Sequence, residues 1–405
     1  MLNKGLKYNL NYNNKNWIQT LAFETETAIA QLPKHEQEEI RYRAAHYINM
    51  YKQQSHNKQH NSNHDKKESH TLSQIKNKLA NNKATVFKAD KGKSVVIMYL
   101  EDYNNKVQEF IDHINFTLLN RNPTKIFQNR IKDTIKSCQL HLTNDKKRTA
   151  LTNTNPAAPN IRGLQKVHKP GYPIRPIINW QGAPDYKLAK HLNKLIQTHI
   201  PLPNAFNIRS PTHLIEDVLE IPYKQGLKLV SFDIVNIYLN IPTNELPQII
   251  ENMSCNNQID RKITNELTKI TRTILEQNYI TFHNRNYSQN SGLAMGAPSS
   301  AILSEVYFQH LEYTKIIKTL TQYNIIRHFR YVDDVLMVYD ETVTDIHEVH
   351  AAFNELAPTI KFTIEKETDN NINFLDISIH NRRDNLQFNV YRKPIATDDI
   401  FPQDS

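Results

Sequence analysis

Glycine is scarce in this sequence, with 8 in 405 residues. Few backbone positions can then adopt a positive φ without strain, so a pair of glycines close together marks a place that needs one. Cysteine is scarcer still. Cys138 and Cys255 are the only two, which excludes a disulfide framework and a cysteine-based zinc site. No apolar run approaches the roughly 20 residues of a membrane span; the longest lies around Val95 to Leu100. The first residues, MLNKGLKYNLNYNNKNW, lack the apolar core of a signal peptide. A basic amphipathic helix with bulky apolar anchors is also missing, so no membrane partner is expected. The expected compartment is intracellular. Acidic residues fall short of basic ones, 41 against 50, which leaves a formal net charge of +9. That surplus points to a polyanionic partner, most simply nucleic acid. The length is ample for a real core and sets a prior of roughly two to three domains.

Residues 1–80 are rich in Asn, Lys, Gln and His. Within them the spacing predicts an amphipathic helix over His35 to Gln53, with Ile40, Ala44, Tyr47 and Tyr51 on one face. Residues 55–70, SHNKQHNSNHDKKESH, show no apolar periodicity and read as a solvated linker. His56, His60 and His64 have i, i+4 spacing, but no carboxylate or cysteine framework joins them. Residues 81–100 predict two strands around an Asp-Lys-Gly turn. Phe87 stands where a phosphate loop needs glycine, which excludes a P-loop. Helical spacing follows over 105–145, then a Pro-rich basic stretch from Asn155 to Pro184. Its prolines at 170, 173 and 176 predict a stiff extended ribbon. Strands and helices then alternate without a regular βαβ order, so a doubly wound sheet is not expected.

Two segments carry the chemistry. In LKLVSFDIVNIYLNIP, residues 227–242, an apolar strand runs into Asp233. A carboxylate there is costly unless something pairs with it. In IIRHFRYVDDVLMVY, residues 325–339, two apolar β-rich runs flank Asp333 and Asp334, the pattern of a hairpin with two acids in its turn. Adjacent like charges repel, and a divalent cation resolves that. Mg²⁺ takes one or two carboxylates and completes its shell with water and substrate phosphates. If the two strands lie side by side, Asp233 and Asp333 would face one another across a two-metal site. Turn chemistry alone also accounts for an Asp-Asp pair. Gly292 and Gly296, in GLAMGAPSS, suggest close backbone approach to a ligand; a loop-to-helix cap explains them as well. Arg162, Lys166, His168, Lys169 and Arg175 form a basic set suited to a triphosphate or to a nucleic-acid backbone.

These segments resemble the motifs of reverse transcriptases. YVDD at 331–334 resembles the central motif, and SFDIVNIYLNIP at 231–242 the first palm motif in the form used by Penelope-like retroelements. GLAMGAPSSAILSEVYFQHLE at 292–312 and RGLQKVHKPGYPIRPIIN at 162–179 are similar to the next palm motif and to the fingers motif. FKADKGKSVVIM, FLDISIH and VYRKPIATD match flanking segments, all in the family's order. The resemblance covers about residue 80 to the end.

The resemblance implies an α+β right-hand polymerase. Residues 1–80 would be a helical extension, 81–205 the fingers and 206–385 a palm whose antiparallel sheet has helices on one face. Residues 386–405 would begin a thumb that is partial or absent, without the GIY-YIG endonuclease of such elements. The implied reaction is RNA-directed DNA synthesis with two Mg²⁺ ions, Mn²⁺ being able to substitute. Its partners would be an RNA template, a DNA primer and deoxynucleoside triphosphates (dNTPs), and its place the nucleus. Asp233 and Asp333 would hold the metals, assisted by the Ile234 carbonyl and supported by Asp334. Tyr238 would be the steric gate against a 2′-hydroxyl. Met295 and Gly296 would pack on the incoming nucleotide, Arg175 and Lys166 would bind its phosphates, and Lys366 would protonate pyrophosphate. Arg162, His168, Lys169 and Gly292 would contact nucleic acid. Ala294 and Ala301 replace the family's usual prolines, which implies a less constrained loop. The alternative is a catalytically impaired nucleic-acid-binding remnant.

Overall fold

The computed structural model describes residues 17–30, 32–58, 63–91, 94–114, 116–138, 145–167, 169–382 and 385–391. The chain divides into two compact units. The first comprises Met1–Ile114, Ile135–Thr154 and Arg162–Ile177; the second comprises Asn115–Thr134, Asn155–Ile161 and Ile178–Ser405. The expected fingers range, 81–205, is shared between them.

In the first unit, helix Trp17–Ile29 packs against helix Lys34–Lys58. The Arg41 guanidinium clamps Glu26 through both carboxylate oxygens, at 2.9 and 2.6 Å. The half-buried face runs through Ile40, Ala44 and Ile48, while Tyr47 is 63% exposed. The expected face therefore turns by about one residue. Most of the expected linker is helical: one helix continues to Lys58 and another spans Asn63–Asn81, leaving 59–62, with His60, outside the described residues. The stretch has no proline or glycine, and its Lys, Glu and Gln residues favour helix without an apolar face. The predicted hairpin forms from Ala84–Lys88 and Val95–Tyr99; Gly92 and Lys93 of its turn lie outside the described residues.

The second unit is built on a four-stranded antiparallel sheet. Its order is Phe362–Lys366, Leu227–Ile234, Asp334–Asp340, Arg327–Tyr331. Strand Leu227–Ile234 is buried on both faces except at half-buried Lys228 and exposed Asp233. On one face Phe353 packs edge to face on both Phe232 and Phe362, and the three ring centroids lie 5.3 to 6.3 Å apart. Helix Ile346–Glu355 supplies Phe353 and Val349 there. The other face is also covered. Leu227, Leu229, Leu336 and Val338 join Leu214 and Val218 of helix Pro211–Leu219, and Ile372, Phe374, Ile377 and Ile379 of a second, three-stranded sheet. FLDISI is therefore two strands and a tight turn, with Leu375 at φ 54° between the paired Phe374 and Ile377. Strand Leu386–Val390 completes that sheet, and residues 392–405 lie outside the described ones. The overall class is the expected α+β, with antiparallel sheets. No described helix is long and apolar enough to cross a membrane.

Candidate active site

Register brings the acids together. Asp334 is the direct cross-strand partner of Asp233, and Thr363 pairs with Asp233 on its other side. Directly opposed residues share a face, with Cβ atoms about 4.5–5.5 Å apart, and like charges so placed repel. Asp333 precedes Asp334 in the hairpin turn, and its carbonyl accepts a hydrogen bond from the Ile234 amide at 2.9 Å. The loop carrying one acid is thus stitched to the strand carrying the other. Asp233 is exposed; Asp333 and Asp334 are half-buried.

The turn is strained. Tyr331 and Asp334 pair directly, so Val332 and Asp333 form a two-residue loop. Of these two only Val332 has positive φ, 58°, the pattern of a type II′ turn. Glycine usually takes that position; for a β-branched residue it is a genuine outlier. Such strain persists only where the surroundings impose it.

Tyr238 follows Asp233 on the short helix Ile237–Asn240. Burial raises the phenol's pKa, and the charges of Asp333 and Glu305 add to the effect. Its carbonyl accepts the Leu293 amide at 2.6 Å, which joins the glycine-bearing loop to the Tyr238 corner. A Cβ on Gly292 (φ 77°) would stand 2.2 Å from the Leu239 carbonyl oxygen; one on Gly296 (φ 83°) would stand 2.6 Å from that of Ile178. The loop is more constrained than its missing prolines suggest. Side chains hold its carbonyls in turn: Gln289 bonds Ser291 and Leu293, Asn278 bonds Gly292, Ser300 bonds Ala294, Trp180 bonds Met295 and Asn193 bonds Pro298. Met295 is half-buried above the Trp180 indole N–H, and Gly296 is exposed.

The basic set belongs to the first unit. Arg175 is half-exposed, and its Nη1 lies 3.1 Å from Oδ1 of the buried Asp90. Burial lowers the Lys166 pKa, and Arg175 and Lys169 push it further down. Arg162 and Lys169 are exposed; His168 lies outside the described residues. Lys366 pairs with Val230, three residues along its strand from Thr363. At 3.3 Å per residue that is about 10 Å from the level of Asp233, and its ammonium is 2.6 Å from His347 Nε2. The expected pyrophosphate role therefore lacks proximity to the acids here.

Sequence reasoning passed over Trp180, Val332 and Arg330, which shape the acid-bearing site, and Asp90, which pairs with Arg175 in the first unit. A charged residue inside the apolar run IIRHFRY was the available signal for Arg330.

Among the described residues no three His, Cys, Asp or Glu side chains converge into a ready metal cage. A pair of opposed carboxylates with a third in the adjoining turn instead fits a divalent cation completed by water and substrate oxygens.

Residues 167–367 match the family described as reverse transcriptase (RNA-dependent DNA polymerase). A comparison with curated protein sequences finds no match. Among solved structures, apo telomerase from Candida tropicalis truncated from its C-terminal domain superposes with a TM-score of 0.54 at 12% identity, over 88% of this chain and 69% of that one. Telomerase from Candida albicans, in complex with the TWJ fragment of telomeric RNA, gives 0.55 at 11% identity, over 91% and 60%. The fuller apo telomerase from Candida tropicalis gives 0.54 at 11%, over 93% and 65%. At such identity the likeness concerns fold, that of the right-hand polymerases. Reverse transcriptase domains use divalent metal ions, and the acids described above fall within the matched segment. Residues 167–367 thus carry the match to the reverse transcriptase family, and that match supports an RNA-directed DNA polymerase.

Proposed function

We propose that this chain extends a DNA primer on an RNA template, as the polymerase of a Penelope-like retroelement. The observation that carries the reading is the register that sets Asp233 opposite Asp334, with Asp333 in the adjoining strained turn. Two Mg²⁺ ions would be held by Asp233, Asp333 and the Ile234 carbonyl, with Asp334 supporting. Bound there, they supply a more acidic primer hydroxyl and a clamp for the leaving pyrophosphate. The primer 3′-hydroxyl gives up its proton to water as its oxygen forms a bond to the α-phosphorus of the dNTP, and the bond from that phosphorus to the α–β bridging oxygen breaks, releasing pyrophosphate. The remaining residues position the substrates. Arg175, oriented by Asp90, and Lys166 bind the triphosphate, and a guanidinium suits it because its planar fork matches phosphate oxygens. Met295 and Gly296 offer a surface on which the new base pair packs. The Tyr238 ring stands where a 2′-hydroxyl would clash.

The experiment is single-nucleotide incorporation on a primed RNA template, with dNTP and ribonucleotide compared. The wild type is expected to prefer dNTP. Tyr238→Ala should raise the relative kcat/KM for ribonucleotide by about 10–100-fold, the scale on which a pocket's shape discriminates small groups, while dNTP incorporation falls much less. Ribonucleotide use that is equal in both proteins would remove Tyr238 from the gate. Salt-sensitive RNA binding without incorporation would favour the binding-remnant reading.

A further inference from the structure

Arg330 is among the largest fully buried side chains of the described residues, at 2% exposure. It sits on the hairpin strand three residues before Asp333. Its guanidinium forks onto Glu305, Nη2 to Oε1 at 2.7 Å and Nη1 to Oε2 at 3.1 Å. Nε reaches Glu312 Oε1 at 2.5 Å, and Nη1 also reaches the Val332 carbonyl at 3.3 Å. The backbone of Arg330 is held as well: its amide donates to Phe206 at 2.7 Å and its carbonyl accepts from Ile208 at 3.0 Å. Glu305 Oε1 takes two further bonds, from Asn207 and Gln309, each at 2.6 Å. Burial raises the Glu305 pKa, yet these bonds and the Arg330 charge outweigh it and hold the carboxyl below its ordinary value. Glu312, 3% exposed, opens a π-helical turn, Glu312–Ile316, an irregularity frequent at functional sites.

We propose that Arg330 is the positioning residue of the acid-bearing turn: anchored on Glu305 and Glu312, it fixes the Val332 carbonyl and so keeps Asp333 in working geometry. The inference rests on the polymerase reading above. A cluster serving only to fasten helix to sheet needs no contact with the turn. An apolar filling would avoid burying two carboxylates with one cation and is often as stable. Arginine has donors enough, in a fixed fork, to hold both acids and still reach a carbonyl. That carbonyl belongs to the one residue of the turn in the left-handed region, where valine does not stay unaided. The strain and its restraint therefore meet at the residue beside Asp333.

The test compares wild type with the charge-free triple variant Arg330→Met/Glu305→Gln/Glu312→Met, each with and without Val332→Gly. Glycine takes positive φ freely, so it should replace what the guanidinium imposes. The readouts are the rate of single-turnover dNTP incorporation, the Kd for primer–template and the thermal midpoint. The triple variant should keep its midpoint and Kd and lose about tenfold or more in rate, equivalent to about 1.4 kcal/mol per decade. Val332→Gly should restore most of that rate in the triple variant. A wild type that extends beside a triple variant of equal rate overturns the inference alone, as does a loss that Val332→Gly leaves untouched. A wild type that extends nothing overturns the polymerase reading and this inference with it. If the triple variant does not fold, Arg330→Lys carries the same comparison: rescue by Val332→Gly supports the role, and no rescue overturns it.

Discussion

Asp233→Asn is expected to abolish primer extension, with a fall of at least about 10²–10³ in rate, the cost of removing one preorganised electrostatic element from a transition state. The same variant should be as stable as wild type, or more so, in metal-free buffer. Asp233 is exposed, so no cavity follows, and it stands directly opposite Asp334, where two like charges repel. Activity and stability should therefore move apart. Rate by quenched flow and midpoint by thermal melt check both halves. A variant that loses rate only by unfolding would make Asp233 a structural residue.

Gly292→Ala is expected to have the largest effect on stability. Its new Cβ would lie 2.2 Å from the Leu239 carbonyl oxygen and 2.5 Å from the Leu239 Cα. Both are backbone atoms, so neither can swing aside. The backbone at φ 77° adds the strain of a left-handed alanine. A loss of about 3 kcal/mol or more is expected, in the range reserved for backbone clashes and core damage. Urea denaturation measures it. The Leu293–Tyr238 bond ties this loop to Tyr238, the proposed gate, so the surviving folded fraction should also discriminate sugars less well. A change below about 0.5 kcal/mol would show that the loop is free to move away from Leu239.

Much of this site is legible in the sequence because its determinants are local. The apolar runs on either side of Asp333 read as a hairpin, and the apolar run before Asp233 reads as a strand. Both form, but the register sets Asp334 rather than the expected Asp333 directly opposite Asp233, because Asp333 is taken up by the two-residue turn. The rest depends on contacts distant in sequence. Val332 takes a conformation that no turn rule assigns to valine, because the surrounding structure imposes it. Arg330 finds Glu305 and Glu312, 25 and 18 residues earlier, on a helical segment, beyond the reach of any periodicity. The glycine-bearing loop is held by Trp180, Asn193, Asn278 and Gln289 rather than by its own prolines. Helix Asn63–Asn81 escaped notice for a different reason. Its first half is polar, and its apolar positions Leu72, Ile75 and Leu79, spaced i, i+3, i+7, begin only beyond the stretch read as a linker.

Prolines at 170, 173 and 176 predict an extended ribbon; only Pro176 lies in a strand, Ile174–Asn179, whereas Pro170 and Pro173 fall in the turn that follows strand Asn160–Gln165. What the ribbon's sequence does not announce is Asp90, contributed from the turn of a separate hairpin, which orients Arg175.

The most direct measurement is Mg²⁺-dependent extension of a DNA primer on an RNA template by the full chain, wild type beside an Asp333→Asn/Asp334→Asn double variant. The account predicts dNTP incorporation by the wild type that rises with Mg²⁺ and vanishes in the double variant, with both proteins folded and both binding the primed template. Incorporation that persists undiminished in the double variant would contradict it, because the carboxylates at the sheet end would then not be the polymerising centre.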